Sequence, residues 1–350
     1  MRAALRRSLA AAAAALALAT SLLGFLWWGA PTGAPRHVKI PRGASLAEIA
    51  DTLARAEAIR WARGFEGYAR IRGAAGRLQA GTYAVREDEG WRRTLDRLVR
   101  GDMVHVAVTI PEGATARVVA ARLAPVVERD AAEVAAAVLD TARAARLGVP
   151  GPTLEGYLYP DTYVFALGLP LDDALAAMVR RYREVWTPER RARADSLGWT
   201  ERDVVTLASI VEAEAMLEEE MPLIAAVYHN RLRRGMPLQA DPTVQYALPE
   251  RKTRLLYADI RAVRDHPYDT YHRRGLPPGP IGSPGAAAID AALAPANVPY
   301  LYFVARGDGT HVFSRTHREH VNAKNRIARE RREATRQAAA RGTGSGPDSR

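Results

Sequence analysis

The sequence predicts an α+β protein with an N-terminal transmembrane helix, a small α/β subdomain and a larger mixed α+β domain. Three observations carry this reading. A single uncharged apolar run near the N-terminus is long enough to cross a bilayer. A short strand-and-helix pattern with its own capping signals follows it. Beyond Pro152, helical periodicity is interrupted by one long Pro/Gly-rich stretch and then by a hairpin signal. The length of 350 residues accommodates two domains and their tails.

Ser8 to Trp28 is an apolar segment of about 21 residues, mostly Ala and Leu, ending in Trp27 and Trp28. Arg2, Arg6 and Arg7 precede it, so the positive-inside tendency keeps residues 1–7 in the cytoplasm and sends the rest across the membrane. A cleaved signal peptide is the rival reading, but the apolar run is long for one and Gly29-Ala30 is a partial cleavage site. Pro31 to Arg36 reads as a linker, and His37 to Ile40 as a strand. Pro41-Arg42-Gly43 turns the chain, and Ser45 with Glu48 forms a capping-box pattern for a helix from Leu46. A second helix over Trp61–Ile71, a strand over Gly81–Val85 and a helix over Trp91–Val99 complete a β-α-α-β-α unit. The start then recurs: a strand from Val104 to Ile110, the turn Pro111-Glu112-Gly113, and Thr115 capping a helix from Ala116. An Ala-rich helix over Ala131–Ala145 ends at Gly148 to Pro152. The larger domain carries helices near Leu171–Trp186, Glu189–Leu197, Arg202–Met216, Pro222–Arg234 and Ala286–Leu293. A hairpin, Tyr300–Ala305 and His311–Ser314 around Gly307-Asp308-Gly309, precedes a last helix from His317 to about Ala340.

The net charge of +11 and the isoelectric point near 10.1 suit an anionic partner: nucleic acid, acidic lipid or acidic polymer. Almost all the positive charge is arginine, with only Lys39, Lys252 and Lys324, and export argues against nucleic acid. The absence of cysteine removes disulfides and thiolate chemistry. The histidines show no metal-ligand spacing, so no metal and no cofactor are expected, and Ser209 lacks the setting of a serine nucleophile.

Three clusters could carry chemistry. In the helix around Asp203–Ala215, the residues Val204, Ala208, Val211 and Ala215 form a core stripe. Glu212 and Glu214 project about 200° apart. Glu214 lies one turn beyond Ile210 and Val211, so an apolar wall is expected beside it, raising its pKa as a general acid requires. Taken alone, the helix favours two ordinary edge glutamates. The second cluster runs from Asn230-Arg231 through Gln239, Asp241 and Thr243 to Tyr246. Its amide, carboxylate and phenol groups suit sugar hydroxyls, although a turn in which Asp241 and Thr243 cap the next helix is the plainer reading. The third is Tyr268-Asp269-Thr270-Tyr271 followed by the loop Gly275–Gly285, where two tyrosines could stack on a sugar ring.

The segments "EGYLYPDTYVF" from Glu155, "LASIVEAEA" from Leu207, "AVYHNRLRRGMPLQADPTVQYAL" from Ala226, "YDTYHRRGLPPGPIGSPG" from Tyr268 and "NVPYLYFVARGDGTHVFSRTHREH" from Asn297 resemble the endolytic murein transglycosylase family, the YceG-like or MltG proteins. The resemblance covers roughly Leu154 to Asn322. It implies a YceG-like catalytic domain behind a LysM-like unit and a single anchor. The division that follows is 1–7 cytoplasmic end, 8–28 anchor, 29–36 linker, 37–150 LysM-like substrate-binding region, 151–330 catalytic domain and 331–350 disordered tail. The family's catalytic acid falls on Glu214, followed here by Ala215 where relatives commonly carry Thr.

The implied reaction cleaves the MurNAc–GlcNAc bond of nascent peptidoglycan strands with formation of 1,6-anhydroMurNAc ends, terminating strand elongation. Asn230, Gln239, Asp241, Tyr246, Tyr268 and Tyr271 are the expected substrate-positioning residues. Partners are the glycan strands, the inner membrane through the anchor and, as a protein candidate, peptidoglycan synthases. A hydrolytic muramidase and a non-catalytic wall-binding scaffold are the alternatives.

Overall fold

The computed structural model describes residues 2–29 and 32–342. The chain separates into two compact units, one of Met1–Val108, Ala124–Arg129 and Tyr163–Ala174, the other of Thr109–Leu123, Asp130–Thr162 and Leu175–Arg350. The expected boundary near residue 150 therefore does not coincide with a break between units.

In the first unit, α1 (Arg2–Trp28) is followed by β1 (Thr32–Ile40), α2 (Leu46–Arg55), α3 (Ala62–Ile71), β2 (Gly81–Glu87) and α4 (Trp91–Arg100). The β-α-α-β-α order read from the sequence is present. Leu9–Trp28 within α1 is the one described segment long and apolar enough to cross a membrane. Antiparallel pairing of β1 with β2 puts Val38 opposite Tyr83 and Ile40 opposite Gly81. The ladder reaches back to Thr32 opposite Glu87 through an irregularity between Thr32 and Arg36. Residues 32–36 are thus bulged strand and not the expected free linker; Gly33, at φ 68°, supplies the left-handed residue such a bulge uses. Ser45 and Glu48 form the expected capping box on α2. Ile40, Leu53, Phe65, Tyr83, Leu95 and Leu98 are buried at the centre of this unit.

Next come β3 (His105–Thr109), α5 (Ala116–Val127), α6 (Ala131–Val138) and α7 (Thr141–Leu147), then β4 (Thr162–Ala166), which pairs with β3 and which the sequence reading did not anticipate. The single Ala-rich helix expected over Ala131–Ala145 is two helices. The Asp140 carboxylate accepts the N–H groups of Ala142 and Arg143, capping a new helix where one continuous helix would leave that carboxylate without backbone partners.

The second unit is built on α8 (Leu171–Val185), α9 (Pro188–Leu197), α10 (Glu201–Glu214), α11 (Met221–Arg233), α12 (Asp241–Ala247), α13 (Tyr257–Ala262) and α14 (Ala286–Leu293), the hairpin of β5 (Tyr302–Ala305) and β6 (His311–Ser314), and α15 (His317–Gly342). Every residue of α10 from Val204 to Val211 is buried. It is a central helix and not the one-sided helix its stripe suggested, because α9, α11, α12 and α14 surround it. Helix α15 continues through residues expected as a disordered tail, as far as Gly342; residues 343–350 lie outside the described residues.

Candidate active site

Thr200 starts α10 with a capping box completed by Asp203, and the helix stops at Glu214 because Ala215 takes an extended conformation, φ −78° and ψ 135°. Glu214 is therefore the last residue of a buried rod. It stays partly open to solvent as a residue while protein crowds its carboxyl. Burial pushes that carboxyl up to about 7; the Tyr228 hydrogen bond opposes the shift, the Asp241 charge adds to it and Arg231 opposes it. The negative end of the α10 dipole acts in the same direction as burial. Glu212 takes a different environment: its Oε2 accepts Gly285 N–H at 3.0 Å, and burial raises its pKa before that bond and the charges of Glu112 and Glu218 modify it.

The expected apolar wall beside Glu214 is instead a set of polar groups held by an apolar core. Helix α11, opened by Pro222 in its first turn, presents Tyr228 and Arg231 three residues apart on one face. Tyr228 donates its hydroxyl to Glu214 Oε1 at 2.9 Å, and burial raises the Tyr228 phenol well above its ordinary value. The Arg231 guanidinium donates to the carbonyls of Leu301 at 2.7 Å and Leu238 at 2.6 Å, and to Gln239 Oε1 at 3.3 Å, while lying 5.1 Å above the Tyr302 ring. Gln239 itself sits at φ 50°, with its N–H bonded to Thr270 O at 2.8 Å. Asp241 does not cap α12, whose N-cap is Ala240; it stands in the first turn and accepts the Tyr271 hydroxyl.

Glu214, Gln239, Asp241 and Tyr271 are thus drawn into one polar cluster, with Tyr228 and Arg231 added by the fold. Asn230 is placed otherwise. Its amide donates to the Val298 and Tyr300 carbonyls, each at 2.8 Å, and its oxygen accepts from Arg233. Both ends of that side chain are spent on holding chain segments, so the structure gives it a scaffold role in place of the expected substrate contact. His229 likewise faces inward, stacked on Trp199 at 4.4 Å and bonded to Ala292 O.

Tyr246 and Tyr268 surround a second carboxyl, Glu155, which the sequence reading did not single out. Glu155 is 3% exposed and accepts Ala116 N–H on both oxygens, at 2.8 and 3.0 Å, and the Tyr246 hydroxyl at 3.2 Å. Burial pushes its pKa up to about 7, against the hydrogen bonds from Ala116 and Tyr246. The Tyr246 and Tyr268 rings lie 4.8 Å apart, and burial with the Glu155 charge moves the Tyr268 phenol up to about 12. No periodicity marks Glu155; its only signal is its place at the head of the "EGYLYPDTYVF" segment.

The Pro/Gly-rich loop is pinned along α10. Ile281 N–H donates to Ser209 Oγ at 3.0 Å, Gly285 N–H to Glu212, and Ser283 exchanges backbone bonds with Gly113 and Ala114. Gly156 approaches this loop at φ 84°, where a Cβ would stand 2.3 Å from Pro280 Cβ. Among the described residues no group of three or more His, Cys, Asp or Glu side chains is arranged to hold a metal ion.

The sequence pattern of the YceG-like family matches residues 38–326. An endolytic murein transglycosylase of Bacillus subtilis is 34% identical over 307 residues, which is 82% of this chain and 83% of the relative. One from Streptococcus pneumoniae is 30% identical over 328 residues, and there the chain covers only 58% of the relative's length. A 2.6 Å crystal structure of a YceG-like protein from Listeria monocytogenes superposes with a TM-score of 0.57 at 31% identity, covering 83% of this chain and 99% of that one. With the family pattern running through both units, from β1 to α15, the chain belongs to the YceG-like family.

Proposed function

We propose that the protein is an endolytic lytic transglycosylase that cuts peptidoglycan glycan strands with Glu214 as its single proton-transfer group. The observation that carries this is a glutamate at the end of a buried helix, raised to about 7 and held at one oxygen by Tyr228. Such a carboxyl is substantially protonated near neutral pH and can act first as acid and then as base.

The chemistry needs no second carboxylate, because the nucleophile belongs to the substrate. Glu214 gives its proton to the glycosidic oxygen as the bond from the muramic acid anomeric carbon to that oxygen breaks. The 6-hydroxyl of the same sugar closes on the anomeric carbon, and its proton passes to the Glu214 carboxylate. One C–O bond breaks, one forms, the acid is regenerated, and no water is consumed. With Oε1 occupied by Tyr228, Oε2 is the oxygen assigned to proton transfer. Gln239, Asp241 and Tyr271 are the proposed positioning groups beside it; Tyr246 and Tyr268 would act at a subsite shaped around Glu155. Residues 37–150 are proposed as a LysM-like glycan-binding region.

Helix α1 is proposed as a retained single-pass anchor in the inner membrane, with the folded chain on the extracytoplasmic side. Cutting strands there, close to where they are made, would end their elongation and makes peptidoglycan synthases the expected protein partners.

Digestion of purified sacculi tests the assignment. Glu214→Gln should abolish soluble muropeptide release while leaving the thermal melting transition in place, and the wild-type products should carry anhydro ends. Products heavier by one water, with reducing ends, would assign a muramidase instead; undiminished release by the variant would remove Glu214 from the chemistry.

A further inference from the structure

The last turn of α1 does not stand free of the folded chain. Leu26 is buried in the core of the first unit, Trp27 packs edge-on against Tyr68 at 4.9 Å, and the Arg60 guanidinium lies 4.6 Å over Phe25. Arg92 of α4 lies 5.1 Å over the Trp28 ring. Residues Leu9 to Leu23 are exposed on every side. At about 1.5 Å per residue those fifteen positions span roughly 22 Å, short of the roughly 30 Å hydrocarbon core. All twenty residues of Leu9–Trp28 are needed to cross it. A bilayer that accepts α1 must therefore reach the docked turn, which brings the surrounding surface of this unit to the depth of the lipid headgroups.

That surface is cationic. A cleft of about 440 Å³ is lined by Trp27 and Trp28 and by Arg92, Arg93, Arg97 and Arg100 of α4. The spacing explains the face: Trp91, Thr94, Leu95 and Leu98 point into the core, leaving the four arginines together on the other side. Two carboxylates, Glu89 and Asp96, share the cleft. Glu89 holds Arg97 through Oε1 at 2.5 Å while its buried Oε2 has no hydrogen-bond partner among the described residues, and Asp96 stands 3.9 Å from Arg92. Arg100 pairs with Asp102 outside the cleft at 3.0 Å. Arg93 has no carboxylate partner among the described residues, and the buried Arg97 Nε has no hydrogen-bond acceptor among them. Paired tryptophans at the end of a membrane helix beside a surplus of guanidinium groups form an interface that complements phosphate.

We propose that this α4 cleft binds the phosphate headgroups of anionic phospholipids in the leaflet the folded chain rests on. The site seats the first unit on the membrane instead of leaving it to swing from its anchor. The inference rests on reading α1 as a membrane span, and the test separates the two. Full-length protein is reconstituted into nanodiscs of phosphatidylcholine mixed with phosphatidylglycerol, and the lipids retained are read by native mass spectrometry. Wild type should keep phosphatidylglycerol over phosphatidylcholine. The exposed pair change Arg92→Gln with Arg93→Gln, which leaves the part-buried Arg97–Glu89 pair intact, should weaken that preference roughly tenfold or more. Arg93→Lys should keep most of it, since the charge survives. No preference in wild type, or an unchanged preference in the double variant, overturns the proposal. So does displacement of the lipid by millimolar inorganic phosphate, which would assign the cleft to a free anion. Release of the chain from vesicles by a carbonate wash would instead overturn the membrane span; a carbonate-resistant chain without lipid preference overturns the headgroup site alone.

Discussion

At the scale of single residues, the proposed chemistry turns on how Glu214 holds its proton. With the carboxyl at about 7, kcat/KM should fall about tenfold for each pH unit above that value, as the acid form is lost. The Tyr228 hydrogen bond opposes the upward shift. Tyr228→Phe should therefore move the alkaline limb of the pH–rate profile to higher pH, and lower kcat by roughly ten- to a hundredfold with little change in KM, the loss of one hydrogen bond to a charged group. A limb that stays in place in that variant would show that the phenol does not govern the acid. The burial of the Glu214 carboxyl was legible in the sequence, since its flanking Ile210 and Val211 announce it. Tyr228 was not, and Arg231 was legible only as a member of the second polar cluster, not as a neighbour of the acid. They enter from a separate helix, and no spacing within one segment reports which residue of another it will face.

At the scale of elements, local chemistry read well and tertiary placement did not. The turn Pro41-Arg42-Gly43 before Ser45 and the turn Pro111-Glu112-Gly113 before Thr115 repeat the same geometry, with glycines at φ 77° and 70° and a closing bond from Ala44 to Pro41 and from Ala114 to Pro111. Both were visible because proline, glycine and a hydroxyl cap act on their own neighbours. Strand β4 escaped although Thr162-Tyr163-Val164-Phe165 are residue types that favour strands; its partner β3 lies about fifty residues back in the chain, so no local turn marks the pair. Asn230 was misplaced for a similar reason: its partners are carbonyls about seventy residues away. The Pro/Gly-rich loop was legible as ordered, yet its fastening to α10 through Ser209 was not. Ser209→Ala leaves the Ile281 N–H without its acceptor in a buried setting and should cost about 1–3 kcal/mol, read as a lowered melting temperature with the fold retained.

At the scale of the whole molecule, two buried carboxyls make stability depend on pH in an unusual direction. Glu155 and Glu214 both hold protons in the folded state up to about 7, against ordinary values of 4.5. The folded chain binds more protons than the unfolded chain between those limits, so their contribution is complete below about 4.5 and is lost as pH rises through about 7. For Glu155 alone the displacement corresponds to roughly 3 kcal/mol above pH 7. Chemical denaturation across that range should show stability falling with pH, and Glu155→Gln should flatten the fall; a stability that rises through the same window would contradict it. Arg231 carries a further consequence. It grips Leu238 and Leu301 through main-chain oxygens, which every amino acid possesses. Those two bonds would survive a change of either side chain, whose identity is held by burial in the core and not by the arginine, whereas the arginine itself has no substitute in the knot beside the acid.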